Sequence, residues 1–205
     1  NGGQAAYLAR QADYLWLNDR INNEIRRLRV SDNSLTAWPL PAGSAPLGLA
    51  VDAEDRLWYA DTGGHALARL APNGQLDFYP LPQGTTPRML ALIESQVWYT
   101  EQGLAGIGRL DPQQAAHTTV HLPAAQRTLA GSCAAIVPAD SGQLTITNID
   151  VDWHATSYPV IVDERGWQVY QAPEDAAPWG IAAATDIWFV DTARRVLGRL
   201  APQTV

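Results

Sequence analysis

Four carboxylates fall at one recurring place in this 205-residue chain: Asp19, Asp61, Glu101 and Asp191 each stand three positions after a Trp. Asn148 takes the same place in a fifth, divergent copy where Thr145 replaces the Trp. Gathered on one rim, such residues have two chemical uses. Each acid can cap its own hairpin by accepting backbone N–H bonds, or the set can form an oxygen-rich collar for Mg²⁺, Ca²⁺ or a cationic ligand. Arg88, on the link into the third copy, would reach the same rim and pair with Glu101 or an anionic ligand. His65, next to Gly63-Gly64, is the acid–base group nearest to it.

A second constellation is Asp150-Val151-Asp152-Trp153-His154. Extended, it places Asp150, Asp152 and His154 on one face, where two carboxylates and an imidazole can ligate a metal or move protons. The same run also suits a solvated hairpin edge. The candidates are therefore Glu101, His65 and His154 for acid–base chemistry and Glu101, Asp150 and Asp152 for a metal. Arg88, Asp61, Asp19, Asp191 and Asn148 are candidates for ligand contact. No Ser-His-Asp arrangement or nucleophile elbow is recognisable.

The elements that must position these residues are short strands. Residues 45–82 hold four apolar runs, closed by Asp52-Ala53-Glu54-Asp55, Thr62-Gly63-Gly64 and Pro72-Asn73-Gly74. Such runs between turn residues are antiparallel strands. Eleven residues after each Trp comes an Arg followed by Leu: Trp16/Arg27, Trp58/Arg69, Trp98/Arg109 and Trp188/Arg199. Trp spacings of 42, 40 and 90 hide one unit between 98 and 188. Its centre is Leu144-Thr145-Ile146-Thr147-Asn148, and Thr156 falls where an Arg is expected. Ile21, Ile25 and Leu28 have helical spacing, but the repeat overrides it and makes residues 19–29 a hairpin.

A period of about 42 residues with four strands per unit predicts an all-β fold, a β-propeller of antiparallel blades. The whole chain, 1–205, reads as one propeller domain with units of about 1–41, 42–82, 83–123, 124–173 and 174–205. The last unit has three strands where the others have four. Either a ring closes on five blades, or the chain belongs to a longer six- or seven-bladed protein, the reading that the absent strand favours. Within a blade, antiparallel pairing predicts each Arg beside its Trp, a structural cation–π contact.

Net charge is −7, and all 14 basic residues are Arg. An acidic chain without Lys lacks the footprint for nucleic-acid backbone binding. The single cysteine, Cys133, excludes an intrachain disulfide and a thiolate zinc site. The longest uncharged apolar stretch, 128–139, is too short to span a bilayer, and the compartment stays open. The expected partner is a small molecule or protein at the propeller mouth.

The repeat resembles the streptogramin B lyase (virginiamycin B lyase) family of seven-bladed propellers. The matching residues include Pro46-Leu47-Gly48, Leu57-Trp58-Tyr59-Ala60-Asp61, Ala68-Arg69-Leu70-Ala71-Pro72-Asn73-Gly74, Val97-Trp98-Tyr99-Thr100-Glu101 and Ile107-Gly108-Arg109-Leu110. The resemblance implies opening of a cyclic depsipeptide ester by elimination, with a His after the inter-blade Pro, a Glu after the Trp strand, and Mg²⁺. Glu101 matches that Glu. The residues after the inter-blade prolines are Leu47, Arg88 and Trp179, none of them His. The expected function is thus a ligand- or partner-binding propeller without that base. The alternative is a lyase or lactonase that depends on Mg²⁺ or Ca²⁺.

Overall fold

Among the described residues of the computed structural model every element is a strand, and the strands form five consecutive antiparallel sheets. The residues described are 5–101, 106–121, 132–138, 144–149, 157–163, 166–169, 178–183, 186–191 and 194–200. The first sheet is β1 (Ala5–Gln11), β2 (Tyr14–Asp19), β3 (Glu24–Arg29) and β4 (Leu35–Pro39). The second is β5 (Pro46–Val51), β6 (Leu57–Asp61), β7 (Ala66–Leu70) and β8 (Leu76–Pro80). The third is β9 (Pro87–Ile93), β10 (Gln96–Glu101), β11 (Gly106–Asp111) and β12 (Ala116–His121). β13 (Ser132–Pro138), β14 (Leu144–Ile149), β15 (Ser157–Asp163) and β16 (Gly166–Val169) form the fourth. β17 (Pro178–Ala183), β18 (Ile187–Asp191) and β19 (Val196–Leu200) form the three-stranded fifth.

Strand order is sequential in every sheet, and the first strands of successive sheets touch one another. That is the arrangement of propeller blades around an axis. Gly48 marks the closest approach. A Cβ built there would stand 2.6 Å from Met89 Cα and 2.7 Å from the Arg88 carbonyl oxygen, so only glycine lets β5 and β9 meet.

The Trp–Arg register is as expected. Trp16, Trp58, Trp98 and Trp188 lie directly across from Arg27, Arg69, Arg109 and Arg199. The guanidinium carbons stand 5.1, 5.4, 5.5 and 5.6 Å from the ring centroids, within cation–π range. Residues 19–29 form a hairpin, with Asn23 in the left-handed region at φ 53°. The fourth unit departs from the fixed spacing. Thr145 lies across from Ile161, not Thr156, because the hairpin after β14 is longer there.

In the second blade β6 is buried on both faces, as a strand sandwiched between neighbours must be. Leu57 and Tyr59 pack towards the first blade with Trp16, Ile25 and Leu40. Trp58 and Ala60 pack towards the third with Leu90, Val97 and Tyr99. The phenol ring of Tyr99 lies directly over Gly108. Gly108→Val is expected to lower stability by about 1–3 kcal/mol, measured by urea unfolding, because no side chain fits beneath that ring.

Candidate functional site

In the second, third and fifth blades the acid closing the Trp strand lies across from the proline opening the inner strand. The pairs are Asp61 with Pro46, Glu101 with Pro87, and Asp191 with Pro178. Asp19 ends β2 in the same way, across from Ala5. These acids therefore share one end of the molecule, the mouth, and all four are buried.

Their environments differ. Asp19 accepts the N–H groups of Ile21 and Asn22 and pairs with Arg26 at 3.0 Å. Asp61 accepts Ala45 N–H and Gly64 N–H on one oxygen and the Ser44 hydroxyl on the other. Asp191 accepts Arg194 N–H at 3.1 Å. These three act as hairpin and link caps. Glu101 does something else. It is 1% exposed, and its Oε2 has no hydrogen-bond partner among the described residues. Burial pushes its pKa above the usual carboxylate range, and the nearby Tyr99 hydroxyl only partly offsets this. The same burial, with Glu101 adding to it, pushes the Tyr99 hydroxyl far up.

Glu101 belongs to the seam between the second and third blades, which side chains of the second blade latch to the link. Thr62 Oγ donates to the Pro87 carbonyl at 2.8 Å, and Pro87 faces Glu101. His65 Nδ1 lies 2.9 Å from the Thr85 carbonyl, which can only accept, so Nδ1 carries the proton. His65 is also held at φ 50°, where a non-glycine residue is strained. In the first blade Asn23 holds the same backbone conformation and donates its amide to the Leu40 and Pro41 carbonyls. His65 is thus the counterpart of Asn23, a tether between hairpin and link. His65→Asn is expected to change the melting temperature little, and His65→Ala to cost about 1–2 kcal/mol, checked by thermal and urea unfolding.

Sequence reasoning missed two ties between blades. Asn18 is fully buried, donates to the Pro46 and Leu47 carbonyls at 2.9 Å each, and accepts Tyr7 N–H. Its signal was available, a lone amide in an apolar strand. Thr62 gave none. Arg88 follows the proline facing Glu101, as the second residue of β9. Asn148 pairs through its backbone with Cys133 and Ser157, and its side chain lies outside the described residues, as do Asp150, Asp152 and His154.

A family model described as the virginiamycin B lyase family matches residues 1–131. The chain belongs to that family. Among solved structures, it is similar to a catalytically inactive histidine-to-alanine virginiamycin B lyase from Staphylococcus aureus with quinupristin. That match has 20% identity and a TM-score of 0.79, covering 98% of this chain and 71% of the other. A streptogramin B lyase structure matches at 22% identity and TM-score 0.76, covering 99% and 70%. A nidogen/laminin complex matches at 13% and 0.74, covering 98% and 81%. At these identities the structural matches establish the propeller fold. No curated protein matches.

For the virginiamycin B lyase family the expected metal is Mg²⁺. Among the described residues, no three His, Cys, Asp or Glu side chains come together to hold an ion. Glu101 offers one unpartnered oxygen, while Asp19 and Asp61 are engaged with N–H donors. The described residues therefore do not fit a metal held by the protein alone. No helix is long and apolar enough to cross a membrane among the described residues.

Glu101 also gives the seam a pH dependence. A carboxyl whose pKa is raised in the fold binds its proton more tightly folded than unfolded. Its contribution favours the fold below the unfolded value near 4.5 and is lost as pH rises through the folded value. Glu101→Gln is expected to remove that loss and to raise the melting temperature at neutral pH, read from melts across pH 4–8.

Proposed function

We propose that this chain binds a small molecule at the propeller mouth, through Glu101 and Arg88, without opening it. The observation that carries this reading is the buried Glu101 carboxylate, which keeps a free oxygen where its counterparts cap hairpins. Leaving a buried acceptor without a donor costs about 1–3 kcal/mol, and a ligand N–H or O–H group removes that cost. Arg88, the second residue of β9, adds a cation. Asp61, Asp19, Asp191 and Asn148 frame the mouth, the first three as supports for its loops. Family membership makes a cyclic depsipeptide such as quinupristin the natural probe.

A second reading is elimination on a cyclic ester, with Glu101 in the family's Glu position and His65 or His154 as base; Asp150 and Asp152 would help hold a metal. Glu101's match to the family motif favours it. The tether formed by His65 Nδ1 leaves only Nε2 to accept a proton. Calorimetric titration of quinupristin, with chromatography for a linear product, separates the two readings. Binding without linear product, weakened at least about tenfold in Glu101→Gln, is the expected result. A Mg²⁺-dependent linear product, lost in Glu101→Gln, would replace the first reading with the second.

A further inference from the structure

The end of the molecule opposite the mouth carries a cavity of about 370 Å³ between the second and third blades. Leu92 and Pro112 give it exposed apolar surface over the buried Trp58 and Val97, and the Asp52–Arg56 turn, Arg69 and the Glu94-Ser95 turn rim it. Its volume lies within the range of roughly 300–1,000 Å³ typical of small-molecule pockets.

The neighbouring seam shows what chemistry this place tolerates. In the first blade Trp38 stacks on Trp16 with centroids 5.4 Å apart. Its indole reaches the turn of the second blade, where a Cβ built on Gly74 would stand 3.1 Å from Trp38 Nε1. The second blade puts Tyr79 in the same register, across from Leu67 as Trp38 is across from Ile25. Gln114 stands in the third blade where the second has Gly74. The second seam thus combines a smaller ring with a cavity in its lower half.

Charge selects the occupant further. Arg56 donates to Asp52 at 2.8 Å and to Glu54 at 2.6 Å. Arg69 donates to Asp77 at 3.2 and 2.7 Å. Both guanidiniums are therefore already neutralised. Glu94 is exposed, and its carboxylate has no partner among the described residues. An anion would find both cations engaged, whereas an ammonium group finds Glu94 and the outer oxygen of Glu54. The chain's net charge of −7 favours cations as well.

We propose that this cavity is a second binding site, distinct from the mouth, for a small aromatic amine. Its ring lies against Leu92 and Pro112, and Glu94 and Glu54 hold its ammonium group. Tryptamine titrated into the full chain by calorimetry tests this, with indole-3-propionate as the same ring under opposite charge. Tryptamine is expected to bind saturably and at least about tenfold more tightly than the propionate. Glu94→Gln should weaken it about fivefold and leave quinupristin binding at the mouth unchanged. Leu92→Trp, which fills the cavity, should abolish it. No saturable binding to the wild-type chain, equal binding of the two charges, or an unaltered Glu94→Gln would overturn the proposal. So would loss of tryptamine binding in Glu101→Gln, which would place the amine at the mouth.

Discussion

Trp58→Ala is expected to cost about 3–5 kcal/mol of stability, a large part of what a domain of this kind has. Trp58 is 2% exposed, and its ring packs on Tyr79 at 5.1 Å and under Arg69 at 5.4 Å. Its Nε1 donates to Asp52 Oδ2 at 3.0 Å. Truncation leaves a void between two blades, takes from the guanidinium one of the two rings it lies over and deprives Asp52 of one donor. Asp52 keeps the Arg56 side chain and the backbone N–H groups of Glu54 and Arg56, so its turn survives while the seam loosens. Urea unfolding with intrinsic fluorescence measures the loss, and Trp58→Phe should recover part of it. A cost below about 1 kcal/mol in Trp58→Ala would show that the Trp register is not what holds the second and third blades together.

Gly48→Ala is expected to have the next largest effect, through stability and binding together. The added methyl group meets backbone, Met89 Cα at 2.6 Å and the Arg88 carbonyl at 2.7 Å, rather than a side chain that could swing away. The inner strands of the second and third blades must separate, and overpacking of this kind costs about 1–3 kcal/mol. Arg88 moves with its carbonyl, so affinity at the mouth should fall in parallel. Comparing chemical unfolding with quinupristin titration on the same variant checks both. Lost stability with unchanged affinity would detach Arg88 from the ligand.

Acid should weaken the second blade. Backbone and side-chain donors hold the Asp52 carboxyl below the usual range despite its burial. Its contribution is present above an unfolded value near 3.8 and is lost as pH falls through the folded value. Asp52→Asn should therefore be less stable than wild type at neutral pH and approach it near pH 2, as melts across that range would show.

The blade architecture was legible because its signals are local and repeated. A Trp and an Arg eleven residues apart, across a hairpin of constant length, can only face each other. The fourth unit shows the limit: Thr145 meets Ile161 because the hairpin lengthened, and no spacing rule anticipates an insertion. The site was less legible. Sequence places an acid at the end of each Trp strand, but it does not reveal that Asp61 caps the neighbouring turn while Glu101 keeps a free oxygen. That difference depends on side-chain length and burial. His65 read as a proton carrier because its tether to Thr85 links residues 20 positions apart.

The latches have one more consequence. Between the second and third blades the Thr62 and His65 ties lie at the mouth end, and the opposite end of that seam opens into the cavity. Two wedges hydrogen-bonded at the mouth and held by apolar side chains further along behave like leaves of a fan stiffest at the rivet. Breathing is expected to spread the far rim and leave the Glu101 end nearly still, so the molecule can be compliant on one side and preorganised on the other.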